Sequence, residues 1–349
     1  MDLGFFTDDE VGSLHITNMI LHVVGDGAFS PEPARAVEHE EFFIARILDT
    51  DVSPVYSFKE TSNTKAQIEL IATGTVSFEE GAQALSREFS RLHVGSSRDG
   101  ALFIFELSTH DPVTRIYSFV KYDYREAIEQ AAVDEGGLLR RIVTAFIADK
   151  KAIQKSIIVR VVGGVAELPI STRDRMKSSP EIGDYFATFL DVSRTLSDED
   201  LNKKTIEVLR TTLTSCKELL PEQDVASAFR RAQGILRDRQ EINEAAITDA
   251  ILAAAGNPED EEVRSTIQST TRRRIRAAKL EGLEFRPDRQ TLRRPPLRKV
   301  RTTEGVTLTY PDDAEGITVR RDRLPAGAER FTIETACVTE DKLVRDPAR

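Results

Sequence analysis

Two apolar runs, "GALFIFELS" (Gly100 to Ser108) and "TRIYSFVKYDY" (Thr114 to Tyr124), are separated only by "THDPV". Both are rich in the aromatic and β-branched residues that favour strands, and the Asp-Pro between them is a turn signal. The pair reads as an antiparallel hairpin, and whatever the rest of the chain forms has to cover it. "LHITNMILHVV" (Leu14 to Val24) reads as a further buried strand, and "KSIIVRVVGGVAELPIS" as one or two more, broken at Gly163-Gly164.

Helices are interleaved. "EHEEFFIARILD" (Glu38 to Asp49) sets Phe42, Phe43, Arg46 and Ile47 on neighbouring turns. In "SFEEGAQALSREFSRLHV", Ser77 and Glu80 have the spacing of a capping box, and Leu85, Phe89 and Leu92 follow on one face. The texture changes near residue 180. "SPEIGDYFATFLDV" has the pattern of a helix, as does "LSDEDLNKKTIEVLRTTLTSCKELLPEQ" behind a Ser197 cap. Pro221 is expected to restart a helix carrying Val225, Phe229, Ala232 and Ile235, and "NEAAITDAILAAAG" and "DEEVRSTIQSTTRRRIRAAKLEG" complete a helical lobe. Beyond Gly282 the chain turns Pro- and Arg-rich, and short strands follow in "GVTLTY", "GITVRR" and "RFTIETACV". The expected architecture is α+β in three parts: an N-terminal α/β domain over 1–178, a helical domain over 179–282, and a basic strip with a small β unit over 283–349.

Chemistry-bearing motifs are scarce. There is no Walker A sequence, no G-x-G-x-x-G and no nucleophile elbow. The five histidines make no zinc spacing, and His22, inside an apolar strand, reads as a core histidine. Cys216 and Cys337 are far apart and make no C-x-x-C, so neither a disulfide framework nor a thiolate zinc site is expected. The acidic start lacks a basic n-region, and no apolar stretch approaches the ~20 residues that span a bilayer. A soluble, cytoplasmic protein without a cofactor is expected. Glu340-x-Lys342, downstream of Asp322, has the loose form of a nuclease metal motif. It keeps a metal-dependent nuclease open as an alternative to a non-enzyme.

The charge distribution is more informative. The chain carries a formal net charge of −10, yet twelve Lys and Arg fall between Arg272 and Arg301 against Glu281, Glu284 and Asp288. That window is +9, so the remainder is −19. Arg272, Arg273, Arg274, Arg276 and Lys279 fall on a helix, where a triple-arginine run fans across more than half the circumference. Arg289, Arg293, Arg294, Arg298, Lys299 and Arg301 are expected on an extended strip stiffened by Pro295-Pro296. Arginine's planar fork suits phosphate, and with Phe285 as the lone aromatic, stacking on single-stranded bases is not encoded. These eleven residues are candidates for duplex backbone contact. The competing structural reading pairs them with acids such as those of "NPEDEE".

Several segments, in order, resemble the bacterial nucleoid-associated protein family (NdpA/YejK-like). They are "ITNMILHVV" with His22, "GALFIFEL" with "YSFVKYD", "RDRMKSSPEIGDYFATFLDV", "EINEAAITDAI", and "GITVRRDRL" with "ERFTIETA". Asp191 stands where that family usually has glycine after Phe-Leu, and "RRPPLRK" has no counterpart in it. The resemblance implies a non-enzymatic protein on the nucleoid, binding double-stranded DNA and proteins such as a topoisomerase. A DNA-sensing component of an anti-phage defence system, acting with an effector protein, is a second reading. A homodimer is compatible with either.

Overall fold

The structure, a computed structural model, describes residues 2–25, 27–93, 99–123, 152–293, 297–311, 314–315, 318–335 and 338. Two short strands, β1 (Asp2–Leu3) and β2 (Phe6–Thr7), lead into the turn of helix α1 (Asp8–Val11). Then come β3 (His15–Val24), α2 (Glu40–Leu48), β4 (Tyr56–Phe58), α3 (Asn63–Ala72) and α4 (Phe78–Arg91). The hairpin follows as β5 (Gly100–Ser108) and β6 (Thr114–Asp123), then β7 (Ile153–Val162), β8 (Val165–Ala166) and β9 (Pro169–Asp174). Helix α5 (Asp184–Leu190) and β10 (Val192–Arg194) lead to four longer helices: α6 (Asp198–Ser215), α7 (Val225–Arg237), α8 (Glu244–Ala254) and α9 (Glu261–Ala277). Two hairpins close the chain, β11 (Leu297–Arg301) with β12 (Thr307–Pro311), and β13 (Val319–Arg323) with β14 (Glu329–Ile333).

The fold is α+β. Its main sheet is antiparallel in the order β10-β4-β9-β7-β6-β5-β3, with β8 paired to β7. β5 and β6 are apolar almost without alternation because both faces of the sheet are covered. On one face Phe103 and Phe105 meet Phe43 of α2, with ring centroids 5.1 Å apart in each case. On the other, Leu102, Ile104 and Phe119 belong to a cluster that includes α3, α4 and α5 and continues into the four-helix lobe.

The local signals hold where they are strongest. Ser77 caps α4 and Glu80 returns the bond, completing the capping box. Ser197 caps α6 in the same way, with Asp200 in the reciprocal role. Asp191 ends α5 at φ 47°, a left-handed conformation that glycine adopts without strain. Its carboxylate accepts from Lys59 Nζ and Thr61 Oγ1, each at 2.8 Å, which ties down the turn that a non-glycine residue has to make. Pro221 does not restart a helix, contrary to expectation. It opens a 3-10 turn in which Glu222 and Gln223 have φ of 55° and 52°. The helix begins at Val225, because Asp224 accepts from Ser227 N at 3.0 Å and so supplies the cap.

Candidate nucleic-acid interface

Helix α9 is polarised along its length. Asp260 caps its start, Glu261 and Glu262 fill the first turn, and Arg274 and Arg276 lie in the last. That arrangement complements the helix dipole at both ends. Ile267, Thr271 and Ile275 are buried against the lobe, a spacing of four that leaves the rest of the circumference outward.

The five cations of this segment divide by what they touch. Arg272 and Arg273 are exposed and make no ion pair among the described residues. Arg274 is half-buried and donates through Nη2 to Ser215 Oγ at 3.1 Å, across to the end of α6. Arg276 Nε is paired with Glu281 Oε1 at 2.9 Å, with side-chain exposures of 22% and 13%. The other oxygen of Glu281 accepts from Gly4 N at 2.8 Å, so this pair fastens the N-terminal segment to the end of α9. Lys279 lies past the helix end at φ 54° and is exposed. Nearby, Lys204 Nζ donates to Ala278 O at 2.9 Å. Burial and then the charge of Lys279 hold the Lys204 amine below the ordinary lysine range.

The following strip is not extended throughout. Thr291–Arg293 form a 3-10 turn whose Thr291 and Leu292 are buried against α6 and α7. Pro295 and Pro296, expected to stiffen the strip, lie outside the described residues. Arg289 and Arg293 are exposed and make no ion pair among the described residues. Their charges reach Asp238 at the end of α7, whose carboxyl is held below its usual range by the Arg237 hydrogen bond first, with Arg289 and Arg293 adding to it. On β11, Arg298 Nε pairs with Glu315 Oε2 at 2.9 Å, while Lys299 and Arg301 are exposed. Arg294 lies outside the described residues, as do Cys337 and both Glu340 and Lys342 of the nuclease motif.

The competing structural reading therefore applies to particular residues. None of the described candidates pairs with the acids of "NPEDEE". Arg276 and Arg298 do pair with carboxylates, but with Glu281 and Glu315. Arg272, Arg273 and Lys279 on one segment, and Arg289 and Arg293 on the next, lie on elements that both pack on α6. Further exposed arginines, Arg323 and Arg330, sit on the β13–β14 hairpin. The "VRRDR" run was the sequence signal for Arg323.

A second polar constellation had no local sequence signature. Lys121 on β6 faces Lys155 on β7 in register, and Lys155 faces Asp174 on β9. All three are buried, Lys121 with only 1% exposure. Lys155 Nζ is hydrogen-bonded to Asp174 Oδ2 and lies 4.8 Å from the Tyr185 ring and 5.0 Å from that of Phe186. Burial, then the charge of Lys155, pulls the Lys121 amine down to about 8. Among the described residues, no group of three or more His, Cys, Asp or Glu is placed to hold a metal ion, and no helix is long and apolar enough to cross a membrane.

A scan against protein-family models gives no match to this chain, and a search of curated proteins gives none either.

Proposed function

We propose that the chain binds double-stranded DNA through phosphate contacts made by Arg272, Arg273, Lys279, Arg289 and Arg293, with Lys299 and Arg301 extending the surface. The observation that carries this reading is the pair Arg272 and Arg273. Two adjacent guanidiniums stand exposed, without a carboxylate partner among the described residues, in a chain whose net charge is −10. Their neighbours Arg274 and Arg276 are committed to the protein itself, which fixes the helix end that presents them. Screening confines the repulsion of the acidic remainder to roughly 10 Å at ordinary salt, so a local basic surface can act independently of the total. The resemblance to nucleoid-associated proteins supports the same reading and implies residence with the nucleoid.

Contacts to phosphate position a protein without reading sequence. Two duplexes of equal length and unrelated sequence should therefore bind within about threefold of each other. Their affinity should fall steeply with salt, by about 0.9 log units per contact for each log unit of salt. The titration is done by fluorescence anisotropy on the full chain. A large preference for one duplex, or affinity indifferent to salt, would remove the reading.

A further inference from the structure

A cavity of about 480 Å³ opens at one end of the main sheet, remote in sequence from the arginines of α9. Its walls include Ser156 of β7, Arg173 of β9, Arg175 and Lys177 just beyond that strand, and Glu284. Ser156 and Arg173 face each other in register, so their side chains leave the sheet on the same side.

Three features of this cavity are unexplained by the fold. Arg173 is half-buried and has no carboxylate partner among the described residues. Its guanidinium donates to Asp49 O and Gly282 O, both at a long 3.3 Å, which leaves its charge uncompensated. Ser156 is 1% exposed, and its Oγ has no hydrogen-bond partner among the described residues. An orphaned hydroxyl at that depth is costly unless something completes it. Lys177 lines the same space without an ion pair among the described residues.

The lining carboxylates do not cancel these cations. Asp49 is paired with Arg46 at 2.6 Å. Asp174 is paired with Lys155 and accepts from Met176 N at 3.0 Å and Gly183 N at 2.9 Å. Glu284 is the remaining lining acid, against Arg173 and Lys177. A guanidinium, an ammonium and a hydroxyl converging on one space all donate, and their common complement is an oxyanion with several acceptor oxygens. The volume falls in the range that holds a small organic ligand rather than a bare ion.

We propose that this cavity is a binding site for a phosphate group carried by a nucleotide, with Arg173 and Lys177 supplying charge and Ser156 the buried hydroxyl contact. The inference does not rest on the duplex-binding reading, since it uses none of the same residues. The phosphate can come from a free nucleotide or from the end of a nucleic-acid strand. Isothermal titration of the full chain with three probes separates these sources. The probes are thymidine 5′-monophosphate, a short 5′-phosphorylated deoxyoligonucleotide, and the same oligonucleotide without its phosphate.

Binding of the monophosphate assigns the site to free nucleotides. Binding of the phosphorylated strand alone assigns it to strand ends. In either case Lys177→Ala and Arg173→Gln should each weaken the phosphorylated probe about tenfold or more, and Ser156→Ala a few-fold. Lys177 is exposed, so its variant keeps the test valid if Arg173→Gln folds poorly. Arg272→Ala should leave monophosphate binding unchanged. Equal binding of the two oligonucleotides with no binding of the monophosphate would overturn the proposal. So would monophosphate affinity unchanged in Lys177→Ala, or no heat with any probe at millimolar concentration.

Discussion

Replacing Asp174 with asparagine removes one charge and leaves the shape of the site nearly intact. The carboxylate accepts from Met176 N through Oδ1 and from Gly183 N through Oδ2, so the single amide oxygen keeps one of these bonds and the other is lost. Also lost is the counter-charge of Lys155, whose side chain is 4% exposed and faces the buried Lys121 of the neighbouring β6. Breaking a buried pair from one side costs about 3–5 kcal/mol, because the surviving ion is stranded. A stranded lysine can release its proton instead, and that escape sets a ceiling on the cost. Against the ordinary lysine pKa the ceiling is about 4.6 kcal/mol at pH 7 and about 1.9 kcal/mol at pH 9. The deficit of Asp174→Asn, read from urea unfolding, should therefore be about 3 to 4.6 kcal/mol at pH 7 and at most about 1.9 kcal/mol at pH 9. Adding Lys155→Met to the variant should recover most of it, since no buried charge then remains unpaired at that position. A deficit under about 1 kcal/mol at pH 7, or one that stays constant up to pH 9, would refute the reasoning.

Other consequences follow from the same contacts. Arg276→Ala strands Glu281, which also holds Gly4 N, so it should lower stability by about 1–3 kcal/mol in thermal unfolding while leaving the salt dependence of duplex binding unchanged. His22 is fully buried, neither ring nitrogen has a hydrogen-bond partner among the described residues, and burial pushes its pKa down to about 4. The unfolded state, with its higher pKa, takes the proton first. Stability is therefore full above about pH 6.5 and is lost as pH falls towards 4, by about 3 kcal/mol from this group. Asp51 acts in the opposite sense, because burial raises its carboxyl to about 7 and its contribution falls as pH rises from about 4 to 7. The two are separated by comparing unfolding of the parent with His22→Leu and Asp51→Asn across that range: His22→Leu should flatten the loss at low pH, and Asp51→Asn should flatten the loss at high pH.

The parts of this fold that were legible in the sequence are those set by neighbours in the chain. The β5–β6 hairpin follows from two apolar runs and an Asp-Pro turn, and the start of α4 from Ser77 and Glu80. The start of α7 was misplaced because Pro221 is a familiar opening signal, whereas the cap that decides the matter is Asp224, three residues on. The pairing of Arg276 was hidden for a different reason. Glu281 lies five residues away, off any helical i,i+4 spacing, and reaches it only because Lys279 turns the chain through a left-handed conformation. The Lys121–Lys155–Asp174 row is set by the register of three strands spread over more than fifty residues, and no local window reports register. For the cavity, "RDRMK" sets a basic residue at every second position from Arg173, but β9 ends at Asp174, so strand alternation does not carry the pattern to Arg175 and Lys177.

The most direct test of the duplex-binding account is the salt dependence of binding by Arg272→Ala/Arg273→Ala beside the unmodified chain. Both side chains are exposed and unpaired among the described residues, so the double variant should unfold at the same temperature as the parent. If each arginine neutralises one phosphate, the slope of log affinity against log salt should flatten by about 1.8. The affinity gap between the two proteins should then close by about tenfold between 50 and 200 mM salt. Parallel slopes for the two proteins, with unchanged unfolding temperatures, would contradict the account and place these arginines away from the DNA.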